Sequence, residues 1–433
     1  MAITKVTGAM LGNYTGGSAD DTVVVGDGAG VAITTGVDNT FIGDTAGAAT
    51  TEGVSNVAVG NEAFDTNTTG GYNVGIGHRA LQANTTANAN IAIGADAMYT
   101  NSTGASNVAI GADALKLNTT ASNNTAVGKS ALGANTTGAS NTAIGTAALD
   151  ANTTADHNVA VGLHSLGANT TGAYNIGIGS YSLYDNTTGG SNVSIGYNTL
   201  ANNTTADDNT AVGYLALTAN TTGSQNTGVG KSAGAAVTTA DDNTCIGYAA
   251  GDTLITGANN TIIGTDCDAP HDTNNSIVIG HQVAGTDNVF RFGKSGNFAS
   301  SSSFTSSGSA TFAFSSDRRK KQNIKDETLG LEFINKLKPR TFNWKPSNEY
   351  PKEWDSYNET NTVDINKKHH GFIAQEIKEV LDEYGVAESM DVWSEDVDGM
   401  QRVSETKFVT QLIKAVQELS AELNELKDKV ENK

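Results

Sequence analysis

The segment Phe312–Ile324 reads FAFSSDRRKKQNI and places two serines and an aspartate directly before four cationic side chains. A serine hydroxyl is a poor nucleophile unless a base removes its proton, and a lysine serves as that base only when burial or nearby cations lower its pKa. Lys321 follows Lys320 and Arg319, so the neighbouring positive charge is present. From these residues alone two interpretations stay open: a Ser-Lys site, or a basic linker whose Ser or Asp caps a turn.

The composition of the chain changes at this same segment. Up to Ser316 there are 7 Lys and Arg against 22 Asp and Glu, and no tryptophan. From Asp317 onward there are 19 basic and 24 acidic residues and all three tryptophans. The charges of −15 and −5 add up to the net −20 of the chain. We infer that two different kinds of protein structure are joined here.

Composition also excludes several classes of partner and location. The acidic first part would repel nucleic acid and anionic membranes, so neither is expected as a partner. The cysteines Cys245 and Cys267 are too few for a disulfide framework, and their role is not evident from the sequence. The first residues lack the apolar core of a signal peptide, and no run of eighteen apolar residues predicts a membrane span. We expect synthesis in a cytoplasm and no membrane insertion.

An internal repeat occupies most of the acidic part. A glycine recurs every seventeen residues without a slip, and a further copy, Gly280, comes one residue early. The periodic glycines are 26, 43, 60, 77, 94, 111, 128, 145, 162, 179, 196, 213, 230, 247 and 264. Each unit reads N-x-x-[IV]-G-x-x-[AST]-[LFMG]-x-x-N-[TS]-T followed by three variable residues, more loosely at both ends of the array. Below, positions in a unit are counted from this glycine, which we call the corner glycine.

Seventeen residues cannot hold a pair of helices, and a short apolar run bounded by Asn and Gly is typical of a strand followed by a turn. The repeat therefore predicts a β-solenoid with one coil per repeat and parallel strands stacked coil on coil. Stacking places like residues over like, so that aligned amide side chains can bond along the stack. We expect the Ile/Val column that precedes the corner glycine to fill the interior.

A second apolar column lies four residues after the corner glycine in ten consecutive units. Its members are Phe64, Leu81, Met98, Leu115, Leu132, Leu149, Leu166, Leu183, Leu200 and Leu217, and Gly30, Gly47, Gly234 and Gly251 take this position in the flanking units. A narrow coil offers little room for both columns, so we expect one of them to face another chain. The interpretation favoured here is that three solenoids share a Leu core and either splay or meet different structure at the glycines. The alternative is a single-chain solenoid with a wide interior.

The units resemble the head repeats of trimeric autotransporter adhesins, which contain a similar N-x-x-[IV]-G core. That resemblance implies trimeric β-rolls. The period of those repeats is shorter, and the membrane anchor of that family is missing here, so the resemblance supports the trimeric roll more than an adhesin of that class.

Other sharp interpretations of the array are weaker. Ten N-[TS]-T triplets, from Asn67 to Asn220, match a glycosylation sequon, but without a secretion signal they are expected to be turn residues. Acidic pairs such as Asp207 and Asp208 lie in the variable turn, where a solvated loop is favoured over a metal site. No cofactor and no metal site are predicted.

After the array, residues 286–315 alternate Phe with Ser and Gly and are expected to form a β neck. A compact mixed domain follows over 316–402. It is predicted to contain helices over 326–339 and 372–385, a strand over 340–345 and a hairpin around Asp398-Gly399. In the last segment, 403–433, an a/d seam predicts a coiled coil. The seam residues are Val409, Leu412, Val416, Leu419, Leu423, Leu426 and Val430.

The stretches SSDRRKKQNI, GLEFINKLKPRTFNWK and HHGFIAQEI occur in this order and resemble the C-terminal intramolecular chaperone auto-processing domain of bacteriophage tail spikes and fibres, the family that includes the phage endosialidases. The resemblance implies a trimeric chaperone that cuts itself off by a Ser-Lys mechanism. The S-D-x-R-x-K-x-x-I pattern of the family falls on Ser316, Asp317, Arg319 and Lys321, and on Ile324. By this implication Ser316 is the nucleophile, Lys321 its base, and Asp317 and Arg319 supporting residues.

The same resemblance places the scissile bond between Ser315 and Ser316 and would make the protein a single-turnover serine peptidase acting on itself. His369 and His370 fall in the last of the three stretches and are expected to pack or to hydrogen-bond.

These observations predict a mainly β homotrimer with a parallel β-solenoid over 22–285 and an attachment segment over 1–21. A phage tail fibre or spike in the virion is the expected role, with baseplate or tail proteins at the N-terminal end and a host surface glycan or protein as receptor. The receptor-binding residues are not identified. The alternatives are a bacterial or prophage-derived surface adhesin with the same chaperone, and a fibre that does not cleave itself.

Overall fold

A computed structural model describes residues 21–301, 312–313, 322–352, 354, 356–396 and 399–432. The chain divides into two compact units, Met1–Ser315 and Ser316–Lys433. Each unit is built from different elements and is described by itself.

The first unit is a β-solenoid, as the period predicted. Each coil contributes one short strand that pairs in parallel with the strand seventeen residues later, for example Val108 with Thr125. The strands are β1 Val23–Val25, β2 Thr40–Ile42, β3 Val57–Val59, β4 Val74–Ile76, β5 Ile91–Ile93, β6 Val108–Ile110, β7 Thr125–Val127, β8 Thr142–Ile144, β9 Val159–Val161, β10 Ile176–Ile178, β11 Val193–Ile195, β12 Thr210–Val212, β13 Thr227–Val229, β14 Thr244–Ile246, β15 Thr261–Thr265 and β16 Ile277–His281.

The stack continues one strand past Gly280, where the sequence repeat ends. Strand β17, Phe290–Lys294, pairs in parallel with β16 and sets Gly293 beside Gly280. Strands β18, Asn297–Ser301, and β19, Phe312–Ala313, then add in antiparallel fashion. The last parallel coil is thus shorter than the others, which is why the seventeen-residue period does not reveal it.

The interior of the solenoid is filled by the Leu column and by the middle residue of each strand. Leu115, Leu149 and Leu200 are completely buried, and so are Ala109 and Ala143. The Ile/Val residue before the corner glycine lies outside instead. The prediction that three chains share a Leu core, with the Ile/Val column inside each coil, was therefore wrong.

The alternation of side chains along a strand explains this arrangement. Successive residues of a strand point to opposite faces, so when the middle residue points inward its two neighbours must point outward. The small residue two before the corner glycine is the one that fits against the Leu column inside a narrow coil. A single chain therefore forms its own complete core.

The glycines that replace Leu near the ends of the array are also explained within one chain. Gly47 lies beside Phe41, and an added Cβ there would come within 2.7 Å of the Phe41 ring. At the other end, Val237 and Leu254 are buried where most units have the Asn of the N-[TS]-T triplet. The interior volume that a glycine leaves empty in the Leu column is thus filled by a larger side chain from another column of the same chain. The expectation that chains splay at these glycines rested on a shared Leu core, and the buried Leu column removes that basis.

Two columns of buried asparagines form ladders along the stack. In the first, Asn84 donates its side-chain amide to the Asn67 side-chain oxygen at 2.9 Å and to the Ala87 carbonyl at 3.2 Å. In the second, Asn141 donates its backbone N–H to the Asn124 side-chain oxygen at 2.9 Å. Pairing of this kind satisfies polar groups that would otherwise be costly to bury. Because Asn67 and its equivalents are buried, they are structural residues and not glycosylation sites.

The corner glycine is required by both conformation and space. Gly145 has φ +138, a conformation that side-chain-bearing residues rarely adopt, and a Cβ there would lie 2.4 Å from the carbonyl oxygen of Gly162. The glycine column therefore permits consecutive coils to approach at strand spacing.

The second unit is a small α+β domain followed by a long helix. Its elements are α1 Leu331–Lys336, β20 Arg340–Phe342, a 3₁₀ turn Ser347–Glu349, β21 His369–Gly371, α2 Ala374–Glu383, β22 Trp393–Glu395, β23 Gln401–Val403, a 3₁₀ turn Glu405–Phe408 and α3 Val409–Glu431. Strand β20 pairs antiparallel with β21, and β22 with β23. These elements confirm the predicted strand, hairpin and helices, but α1 is shorter than the predicted helix over 326–339.

Candidate functional site

The predicted cleavage residues Ser315, Ser316, Asp317, Arg319 and Lys321 lie outside the described residues. Described backbone resumes at Gln322, and residues 322–328 are exposed. The described residues hold the domain C-terminal to the predicted cut and two exposed apolar surfaces.

The domain has a compact apolar core drawn from several elements. Phe333 of α1, Ile377 and Leu381 of α2, and Phe408 are buried together. The Phe333 ring meets the Tyr384 ring edge-on, with centroids 5.3 Å apart. Packing of α1 and α2 around Phe408, the residue before α3, gives the domain an apolar core of its own.

Helix α3 uses one face to join this domain. Gln411 and Ala415 are buried, and the Gln411 amide donates to the Glu327 carboxylate at 2.9 Å. The Glu418 carboxylate accepts the backbone N–H of Leu331 at 2.7 Å, at the first residue of α1. This hydrogen bond, with a second contribution from Lys414, lowers the pKa of Glu418. The contacts fix the direction in which α3 leaves the domain.

A neighbouring face of α3, roughly 100° around the helix from Gln411 and Ala415, carries the predicted coiled-coil seam and is exposed in a single chain. About half of the surface of each seam leucine is exposed to solvent: 47% for Leu412, 53% for Leu419 and 51% for Leu423. An apolar stripe of seven residues along a helix this long is normally covered by another helix. The seam is therefore placed where other copies of the chain could cover it.

His369 packs as the sequence suggested. Its ring stacks on Phe342 at a centroid distance of 5.9 Å and meets the edge of Trp344 at the same distance. These contacts join β20 to β21. No group of His, Cys, Asp or Glu side chains in the described parts of the chain has an arrangement that could hold a metal ion.

The outer surface of the solenoid strands is a second unusual apolar surface. Along it runs the Ile/Val column, with 37% of Ile76, 37% of Ile93 and 41% of Ile144 exposed, beside a column of Val, Ile and Thr two residues earlier. We call these two columns the outer strand face. Parallel sheets are normally covered on both faces, and a large exposed apolar patch marks an interaction surface.

Comparison with known families finds a similarity in the second unit. Residues 316–386 match the family Peptidase_S74, described as chaperone of endosialidase. The match supports a C-terminal domain for trimerisation and autoproteolysis, and it covers Ser316, Lys321 and the elements from α1 to α2. Searches of curated proteins and of solved structures returned no match to the chain. Among the described residues, no helix is both long enough and apolar enough to span a membrane.

The sequence led to the family and to the seam of α3, but the outer strand face was missed. A signal for it was present in each unit. The residue two before the corner glycine is Ala or Gly in most coils, as at Ala109 and Gly177. In the ten coils that carry a large residue four after the corner glycine, this position is always small because it faces the interior that the large residue fills, so the residues on either side face out.

Proposed function

We propose that the protein is a homotrimeric phage tail fibre or spike whose C-terminal domain directs trimer formation and then releases itself. The observation that carries the proposal is the chaperone of endosialidase match, which begins at Ser316, where the second compact unit begins. The β-solenoid before it is the shaft, and a host surface glycan or protein is its receptor. The N-terminal end meets baseplate or tail proteins.

The repeat itself explains why such a shaft needs a chaperone. Neighbouring coils are nearly identical, so three chains could align in many registers that differ by seventeen residues. The outer strand face would be exposed during this search and could aggregate. A domain that trimerises through α3 brings three chains into one register before their solenoids meet. In this proposal the outer strand face is the surface along which the three shafts pack.

In this proposal Ser316 begins the self-cleavage at the peptide bond that precedes it. Lys321 removes the hydroxyl proton, the Ser316 Oγ attacks the Ser315 carbonyl carbon, and an ester replaces the peptide bond as the Ser316 amine leaves with a proton from Lys321. Water then hydrolyses the ester to a Ser315 carboxylate and restores the Ser316 hydroxyl. The cations around Lys321 favour its neutral form. Loss of the chaperone leaves a shaft held by its unfolding barrier.

The location of the two units tests the fibre role. Virions purified from the producing cells would be digested and their peptides measured by mass spectrometry. A tail fibre predicts peptides from residues 21–301 in the particles and a strong depletion of peptides from 322–432. Recovery of the shaft on the bacterial surface, with none in particles, would contradict the proposal and favour the adhesin alternative. Equal recovery of both units in particles would indicate a fibre that does not cleave itself.

A further inference from the structure

One side of the solenoid carries a continuous row of five aromatic side chains and one lysine. It follows six consecutive coils and consists of His164, Tyr181, Tyr197, Tyr214, Lys231 and Tyr248, which we call the aromatic ladder. All six lie one or two residues after a corner glycine. Tyr184 also touches the ladder, at 5.5 Å from Tyr181 between ring centroids.

The members of the ladder contact one another along its whole length. His164 stacks on Tyr181 at a centroid distance of 5.7 Å, and Tyr197 stacks on Tyr214 at 5.6 Å. Tyr181 meets Tyr197 edge-on at 6.4 Å. The Lys231 ammonium lies 5.8 Å from the centre of the Tyr214 ring and 5.5 Å from that of Tyr248. The result is one surface and not a set of separate tyrosines.

The fold does not require aromatic residues at this position. Ala95, Ala112 and Thr146 occupy the first position after the corner glycine in other coils, whose strands pair in the same way. The ladder tyrosines also bury little for the fold, since Tyr197, Tyr214 and Tyr248 keep 47%, 48% and 50% of their surface exposed. Large side chains held half exposed by a rigid scaffold are typical of binding surfaces.

The chemistry of the ladder indicates the kind of ligand. Tyrosine offers an apolar ring and a hydroxyl that donates and accepts hydrogen bonds, which matches a sugar with C–H faces and hydroxyl groups. The residues repeat at strand spacing, about 4.8 Å, so the ladder suits an extended polymer better than a small molecule. With 7 basic against 22 acidic residues up to Ser316, the shaft repels polyanions.

We propose that the aromatic ladder binds an uncharged, extended polysaccharide along the shaft. The inference rests on the proposed attachment role of the shaft and supplies the receptor site which that role lacks. Binding would spread over several coils, with each ring contributing a little and Lys231 adding a donor between Tyr214 and Tyr248.

Affinity electrophoresis of the purified full-length gene product tests this inference. Gels contain dextran, mixed-linkage β-glucan or galactomannan as neutral probes, and alginate as an acidic one. We expect retarded migration in at least one neutral gel and an affinity at least tenfold weaker for Y197A/Y214A/Y248A. The matched control H78A/K129A alters the same position in coils outside the ladder and should bind like wild type. Y197F/Y214F/Y248F keeps the rings and should bind more tightly than the alanine variant.

Several results would overturn the proposal. These are no retardation of wild type by any neutral probe, equal retardation of the alanine variant, or stronger binding to alginate. Sedimentation velocity on the same samples decides whether the ladder instead joins chains, since a shift of the alanine variant to smaller species would also overturn it. If trimers form and the chain is cut but no polysaccharide binds, the ladder inference fails and the proposed function stands.

Discussion

Replacing outer-face isoleucines by threonine should weaken association of the chains without unfolding the coils. The triple variant I76T/I93T/I110T changes three consecutive members of the Ile/Val column. Threonine is β-branched and already occurs in the other column of the outer strand face, at Thr125 and Thr142, so each coil should still form. What is lost is apolar surface that another chain covers in the proposed trimer.

The size of the effect follows from the exposure of these side chains. In the single chain, 37% of the surface of Ile76 and of Ile93 is exposed to solvent, and 39% of that of Ile110. Full burial of such a side chain contributes about 1.5–3 kcal/mol, so covering the remainder contributes about 0.6–1.1 kcal/mol per isoleucine. Nine isoleucines in a trimer then contribute about 5–10 kcal/mol, which corresponds to a loss of at least roughly a thousandfold in the trimer association constant.

Sedimentation equilibrium in increasing urea would measure this loss, with wild type and variant prepared in the same way. A control, A95T/A112T, changes exposed residues one position after the corner glycine, where Thr146 occurs naturally. The control should dissociate like wild type, and circular dichroism should give the same β content for all three proteins. Equal dissociation of I76T/I93T/I110T and wild type would refute the assignment of the outer strand face to chain association.

Three further predictions concern the coils of a single chain. Leu149 is fully buried at φ +52, so L149A should lower the free energy of local opening, measured by hydrogen exchange, by about 2–5 kcal/mol. L149G should be no less stable than L149A, because glycine relieves left-handed backbone strain of about 1 kcal/mol. A clearly less stable L149G would contradict this. G145A should accelerate amide hydrogen exchange in its own and neighbouring coils, because the added Cβ would lie 2.4 Å from the Gly162 carbonyl oxygen. The control G133A, at a glycine without positive φ, should not. Equal acceleration by both variants would count against the reasoning. Burial, together with the negative charge of Asp268, raises the pKa of the Cys245 thiol to about 12. Cys245 should therefore stay a neutral thiol at pH 8 and resist iodoacetamide until the coil unfolds. Rapid labelling of the folded chain would be inconsistent with this.

The parts of the fold that depend on short-range or periodic patterns could be predicted from the sequence. The period fixed the coil length, and the corner glycine marked the turn, because a close approach such as that of Gly145 to Gly162 admits no side chain. The spacing of three and four residues from Val409 to Val430 predicted α3. Each of these features depends on residues that are neighbours in sequence or repeat at a constant distance.

The sequence did not show which apolar column faces inward. Both the Ile/Val and the Leu columns are apolar, and the decision depends on how much interior one coil offers, a property of the closed coil and not of a single strand. The αL conformation of residues such as Leu149, which turns the chain so that the Leu side chain enters the core, is also unusual for a non-glycine residue. The roles of Ser316 and Lys321 remain predictions from the family resemblance.

The most direct test of the central proposal is the mass of the expressed full chain under denaturing conditions, measured beside S316A and K321A. Self-processing predicts two wild-type fragments, one ending at Ser315 and one beginning at Ser316, while both variants stay whole. K325A, at a lysine outside the family pattern, serves as the control and should be cut like wild type. A wild-type chain that stays intact in a folded trimer, or variants that are cut as fast as wild type, would contradict the proposal.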